Sequence, residues 1–169
     1  MTDVRGYFVK YYMAISPWRT NNFVDSCAFD PKYDPEDKAA IEIFRLHREK
    51  ELDIIIAHST QKEIEHPNTP SWVKKEAVGL INTKNISLNP EEKAFLQNIE
   101  RTLAGSGKRG NILQDARHIF EAQKYGSYFV TTDDRLLKKA HKIQKICRVK
   151  ILLPSEFLAL VHSHADTPQ

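Results

Sequence analysis

The segment 52–57, with the sequence LDIIIA, constrains the fold of this chain more than any other stretch. It is short, rich in β-branched residues and apolar on both faces, which is typical of a central strand in a parallel sheet. Four other short runs are predicted as strands: 22–24, 86–88, 127–130 and 149–153. Because helix-length segments separate these runs, the sequence predicts an α/β domain with a mainly parallel sheet.

Proline and capping residues mark the helices between the predicted strands. Asn111 is expected to cap a helix over 112–124, and Thr60 with Glu63 has the spacing of a capping box. Helices are predicted over 35–50, from about residue 60 to the prolines at 67 and 70, and over 71–81, 89–103, 112–124, about 134–144, and from 154 onwards.

Composition limits the class of protein. The chain has 169 residues, 41% of them hydrophobic and 28% charged, which fits one globular domain and excludes a disordered chain. Its net charge of +3 is compatible with a polyanionic partner without requiring one. The two cysteines, Cys27 and Cys147, have no metal-ligand spacing, and no stretch approaches the roughly 20 apolar residues of a membrane span. We expect a cytoplasmic protein without a membrane segment.

The chain divides into three predicted parts. Residues 1–20 are rich in aromatic side chains and are expected to form an extension that docks on the core or on a partner subunit. Residues 21–162 form the main domain. Residues 163–169 are expected to form a disordered tail.

Four acidic residues lie after predicted strands or near a predicted helix start: Asp25, Glu63, Asp115 and Asp133. Apolar runs lead into Asp25 and Asp133 and close before Glu63, whereas Asp115 lies near the start of the predicted helix 112–124. Ligands of open α/β sheets bind outside the carboxyl ends of the strands. Carboxylates gathered there repel one another unless a cation lies between them, and their oxygens suit Mg²⁺ or Mn²⁺. The pattern therefore predicts a divalent metal site and phosphate chemistry.

Four stretches, FVDSCAF, STQKEIEH, DARHIFEAQKYGSYFVTTDDRLL and VKILLPSEFL, resemble in order and spacing a PIN domain. This family of metal-dependent ribonucleases includes the toxin halves of many bacterial toxin–antitoxin pairs. The resemblance covers roughly residues 22–161. It implies a three-layer α/β/α sandwich with strand order 3-2-1-4-5. It also implies endoribonuclease activity on single-stranded RNA that leaves a 5′-phosphate and a 3′-hydroxyl, a possible antitoxin protein partner and a possible homodimer.

The resemblance also assigns roles to residues. Asp25, Asp115 and Asp133 would bind Mg²⁺ or Mn²⁺, and Glu63 would reach the ion directly or through water. The same four acids would form the catalytic set. Thr131 or Ser26 would supply a hydroxyl beside the acids. Independently of the resemblance, Lys108 and Arg109 are expected to contact an RNA backbone, because phosphate contacts need only cations and flexible donors.

Several of these roles have alternatives. Glu63 could instead complete the capping box with Thr60, and Asp134 could share the role of Asp133 or cap the following helix. Lys108 and Arg109 belong to a loop, AGSGKRG, that lacks the Walker pattern and could equally be a solvated surface loop. Three histidines fall near the predicted site and could touch substrate, although surface or capping roles are also open: His58, His66 and His118.

Cys27 occupies a position where the family often has asparagine. This departure, together with the extra N-terminal segment, favours a second interpretation, in which a PIN-fold module binds RNA or a protein partner without cleaving it. A third is a metal-dependent DNA nuclease.

Overall fold

The structure, a computed structural model, describes residues 15–80, 87–105 and 108–165. These ranges contain a parallel sheet of four strands and seven α-helices, which confirms the predicted α/β class. The strands are β1 Asn22–Val24, β2 Ile54–Ile55, β3 Tyr128–Val130 and β4 Lys150–Leu152. The helices are α1 Glu36–Arg48, α2 Gln61–Ile64, α3 Ser71–Val78, α4 Pro90–Leu103, α5 Arg109–Tyr125, α6 Asp134–Gln144 and α7 Pro154–Ala165.

The strand order is β2-β1-β3-β4, with every neighbouring pair parallel. The predicted five-strand order is not confirmed, because the structure describes four strands. Of the predicted strand 86–88, residue 86 lies outside the described residues, and residues 87 and 88 have no strand assignment.

Strand residues alternate between the two faces of the sheet, as the pleat requires. On one face, Val24 and Val130 pack with helices α1, α3 and α7. On the other, Phe23 and Phe129 pack with α4, α5 and α6. A core on each side of one sheet is consistent with a three-layer sandwich.

Gly126 allows the turn between α5 and β3 to lie against β1. A Cβ atom at this position would lie 2.4 Å from the backbone oxygen of Asn21 and 2.9 Å from a ring carbon of Phe23. Only glycine avoids this overlap without a shift of the backbone. The turn therefore fixes the distance between the strands that position the site.

Two predicted boundaries are wrong. Helix α5 begins at Arg109, so Asn111 lies within it and Asp115 is its seventh residue, beyond the first turn. Helix α7 continues to Ala165, so residues 163–165 are helical and do not belong to a disordered tail. Residues 166–169 lie outside the described residues.

The aromatic residues at positions 7–12 lie outside the described residues, but the end of the N-terminal segment contacts the core. The indole N–H of Trp18 donates to the carbonyl oxygen of Val161 at 3.0 Å. The hydroxyl of Tyr128 donates to the carbonyl oxygen of Ile15 at 2.5 Å. Residues 15–18 thus pack against α7 and β3. Within the described ranges, no helix has the length and apolar content needed to cross a membrane.

Candidate functional site

The candidate site lies where β1 and β3 end side by side. The chain continues from β1 to β2 on one side of the sheet and from β3 to β4 on the other, so their carboxyl ends border a topological switch point. Asp25 follows β1 directly, and its N–H donates to the carbonyl oxygen of Val130 at 2.9 Å. Thr131 and Asp133 follow β3.

The Asp25 carboxylate is buried and held by three donors. Its Oδ1 accepts from the backbone N–H of Ser26 at 2.8 Å, and its Oδ2 accepts from the hydroxyl of Thr131 at 2.8 Å. The thiol of Cys27 donates to the same Oδ2 at 3.3 Å. These contacts fix the orientation of the carboxylate at the edge of the sheet.

Cys27 contributes its sulfur to the site although the residue as a whole is exposed. Shielding of the sulfur from water, with the adjacent Asp25 carboxylate, raises the pKa of the Cys27 thiol to about 12. The side chain is therefore a neutral S–H donor at the position where the PIN resemblance expects an asparagine amide.

Asp133 caps α6 and binds Arg135. Its Oδ1 accepts from the backbone N–H of Arg135 at 2.8 Å and from Nε at 3.1 Å, and its Oδ2 contacts Nη2. Partial burial alone would raise the pKa of Asp133, but the hydrogen bonds from Arg135 lower it below its usual value. The hydroxyl of Thr131 accepts from the Asp133 N–H at 3.0 Å, so one threonine orients both acids.

Asp115 projects from α5, is 8% exposed, and its Oδ2 has no hydrogen-bond partner. The Nη2 of Arg135 lies 3.5 Å from this oxygen. Burial raises the pKa of Asp115 to about 6, and repulsion from Asp25 and Asp133 adds to the shift while Arg135 opposes it. The nearby guanidinium of Arg135 therefore compensates the negative charge of Asp115 only in part.

Glu63 reaches the site from α2 and does not form the capping box that was the alternative role for it, because the side chain of Thr60 makes no cap hydrogen bond. Instead the hydroxyl of Ser26 donates to Glu63 Oε2 at 2.5 Å. Burial raises the pKa of Glu63, with added repulsion from Asp25 and Asp133 and opposing contributions from Ser26 and His118.

His118 is a buried ring beside the acids. It is 1% exposed, its Nδ1 lies 3.9 Å from Asp25 Oδ1, and neither ring nitrogen has a hydrogen-bond partner. It lies one helical turn from Asp115 on α5. A second histidine, His66, lines an open groove that also borders Glu63. His58 lies in the turn before α2, where its N–H donates to Glu121 at 2.9 Å.

The groove has a volume of about 500 Å³ and begins at Ser26, Cys27 and Glu63. Its other lining residues include acidic, basic, amide, hydroxyl and apolar groups: Asp30, Lys32, His66, Asn68, Thr69, Pro70 and Val73. Lys32 forms an ion pair with Asp30. Such a mixed surface has both cationic and hydrogen-bonding groups for a nucleotide chain.

Some of the predicted site residues make no described contact with the four acids. Lys108 and Arg109 are exposed at the start of α5, with Arg109 about 9 Å along the helix axis from Asp115. Among the described contacts, neither pairs with any of the four acids. Asp134 is exposed and pairs with Lys138, so it does not share the role of Asp133.

Arg135 is a site residue that the sequence did not predict. Its contacts with Asp133 and Asp115 depend on side-chain direction across α5 and α6. No spacing rule in the sequence marks this pairing.

Within the described ranges, no three His, Cys, Asp or Glu side chains form a ready metal cluster. Arg135 forms an ion pair with the Asp133 carboxylate, and the negative charges of the acids repel one another. Mg²⁺ nevertheless needs only one or two protein carboxylates when waters complete its shell. The buried Oδ2 of Asp115 has no hydrogen bond and only a 3.5 Å ion pair with Arg135, so the chemistry of this oxygen suits a divalent ion.

Comparison with known proteins adds no family assignment. The chain matches no known family model, and no curated protein matches it. The fold and the geometry of the acids therefore carry the functional argument.

Proposed function

We propose that this protein is a PIN-domain endoribonuclease that uses Mg²⁺ or Mn²⁺ to hydrolyse single-stranded RNA. The observation that carries the proposal is the buried Oδ2 of Asp115, which has no hydrogen-bond partner and only a 3.5 Å ion pair with Arg135, in a site shared with Asp25 and Asp133. A buried carboxylate oxygen without a hydrogen bond is unfavourable, and a bound cation offsets that penalty.

The four acids have different roles. Asp25, Asp115 and Asp133 hold the ion, and Glu63 reaches it directly or through water. When bound, the ion supplies an activated water and stabilises charge during an in-line displacement at phosphorus. The raised pKa of Glu63 suits it to accept a proton in that reaction.

Hydroxyl groups orient these acids. Thr131 fixes Asp25 through its O–H and accepts the N–H of Asp133. Ser26 holds Glu63 at the mouth of the groove. The RNA chain enters this groove, where Lys32 and His66 offer cationic or hydrogen-bonding contacts to phosphate. The products carry a 5′-phosphate and a 3′-hydroxyl.

The proposed family rests on the order of the acids along the chain and on the positions of Asp25 and Asp133 after the neighbouring strands β1 and β3. A three-layer sandwich with strand order 3-2-1-4-5 belongs to the same proposal. The N–H of Ile56, after β2, donates to the carbonyl oxygen of Leu80 at 3.0 Å, which supports a further chain segment along the outer edge of β2. A toxin role, an antitoxin partner, a homodimer and a cytoplasmic location remain predictions from the resemblance.

A cleavage assay tests the proposal. Purified protein is incubated with end-labelled single-stranded RNA and Mn²⁺, and cleavage is expected to stop with EDTA and with Asp115→Asn. Asp134→Asn makes the same chemical change at an exposed position outside the site and should remain active. Single-stranded DNA of the same sequence tests the alternative DNA nuclease. RNA cleavage that survives both EDTA and Asp115→Asn would contradict the mechanism.

A second function is favoured by two contacts at the site. The Cys27 thiol replaces the expected amide, and Arg135 already neutralises part of the carboxylate charge. These contacts fit a PIN-fold module that binds RNA or a protein partner without cleaving RNA. This function predicts RNA binding that is insensitive to EDTA, together with no Mn²⁺ binding in calorimetry.

A further inference from the structure

We propose that Arg135 is a built-in cation that competes with the divalent ion for Asp133 and Asp115. Metal binding would then require the guanidinium to leave these carboxylates. This inference rests on the proposed function, because it concerns how the same acidic site is regulated.

The guanidinium already uses the oxygen atoms that a metal would need. Asp133 Oδ1 accepts two hydrogen bonds, from the backbone N–H and the Nε of Arg135, while Oδ2 contacts Nη2. An ionised carboxylate offers about two lone-pair sites on each oxygen. Direct coordination at Oδ1 therefore requires the loss of at least one of its hydrogen bonds.

The same guanidinium compensates the charge of the second acid, Asp115, only in part. Its Nη2 lies 3.5 Å from Asp115 Oδ2, and that oxygen has no hydrogen-bond partner. Arg135 thus bridges two carboxylates by charge, with a planar fork on one and a longer ion pair on the other. A divalent ion would bring more positive charge and a shorter contact to both.

Arg135 can leave without unfolding the helix that carries it. Its side chain is 36% exposed, so solvent is accessible to the released guanidinium. The backbone N–H of Arg135 continues to donate to Asp133, which preserves the cap of α6. The competition therefore involves a side-chain movement on an intact scaffold.

Calorimetric titration with Mn²⁺ tests the competition. Arg135→Gln removes the charge and retains an amide donor, and we expect its Kd for Mn²⁺ to be about tenfold lower than that of the wild type, since the lost repulsion is only partly screened. Lys138→Gln is the matched control, because it removes one positive charge from the same helix at an exposed ion pair with Asp134. Its Kd should stay within about threefold of the wild type.

A second variant, Arg135→Lys, keeps the charge without the planar fork, and its Kd should fall between those of the wild type and Arg135→Gln. Circular dichroism checks that each variant is folded. Tighter binding by Arg135→Gln alone, including binding that the wild type lacks, supports the proposal. Equal or weaker binding by Arg135→Gln, or equal tightening by Lys138→Gln, overturns it while leaving the metal site intact. No Mn²⁺ binding by any variant overturns both this inference and the proposed metal-dependent function.

Discussion

Replacing Asp115 by asparagine should stabilise the fold at neutral pH while it removes a proposed metal ligand. The wild-type carboxyl is buried, its Oδ2 has no hydrogen-bond partner, and two other acids repel it. Asparagine has nearly the same shape and no charge to bury. The variant therefore removes the free-energy cost of burying the negative charge of Asp115, which the wild-type protein retains.

The magnitude follows from the pKa of Asp115. Burial raises it from 3.8 to about 6, which corresponds to about 3 kcal/mol at roughly 1.4 kcal/mol for each pH unit. Because the folded pKa is the higher one, the folded state binds more protons than the unfolded state between these values. The stabilising contribution of the neutral carboxyl is fully present below 3.8 and is lost as the pH rises through about 6.

Urea unfolding of both proteins across this pH range measures the effect. The free energy of unfolding of Asp115→Asn should exceed that of the wild type by about 3 kcal/mol at neutral pH and match it below the unfolded pKa. Asp134→Asn, at an exposed position, should differ from the wild type by no more than about 0.5 kcal/mol. Saturating Mn²⁺ should narrow the gap, because it stabilises only the protein that binds it. A variant less stable than the wild type, or a difference independent of pH, would refute the reasoning.

Three further predictions concern positions around the site. Gly126→Ala should lower the free energy of unfolding by roughly 1–3 kcal/mol, because the added methyl group overlaps neighbouring atoms. Gly79→Ala has open space around it and should not lower this free energy, and urea titration of both variants checks the difference. Thr131→Val should lower the same quantity by roughly 1–3 kcal/mol, because Asp25 loses a buried donor, and Thr131→Ser should retain most of the stability. Cys27 should react slowly with iodoacetamide up to about pH 9, because its thiol pKa is about 12; rapid labelling seen by mass spectrometry would contradict this.

The strands and most helices could be predicted because the residue patterns that specify them lie within short stretches of the sequence. The run 52–57 contains β2, and the predicted helix over 89–103 corresponds to α4, which begins with a capping box of Asn89 and Glu92. The start of α5 could not be predicted in the same way. Lys108 precedes it without a side-chain cap, while Asn111, a good capping residue, lies inside the helix.

For the candidate site, the positions of Asp25 and Asp133 after strands could be predicted, whereas the hydrogen-bond and ion-pair partners of the acids could not. Asp25 and Asp133 follow strand ends, which the chain order alone marks. The role of Glu63 was ambiguous because the capping-box spacing and the contact with Ser26 are equally compatible with the sequence. The position of Arg135 depends on how α5 and α6 pack, which no local pattern specifies.

Crystals grown with saturating Mn²⁺ provide the most direct test of the metal centre, through the anomalous signal of the ion. The proposal predicts a peak at the carboxyl ends of β1 and β3, with oxygens of Asp115 and Asp133 at direct coordination distance, about 2 Å, and Arg135 displaced. A site without a peak, with Arg135 still paired to both acids, would contradict it.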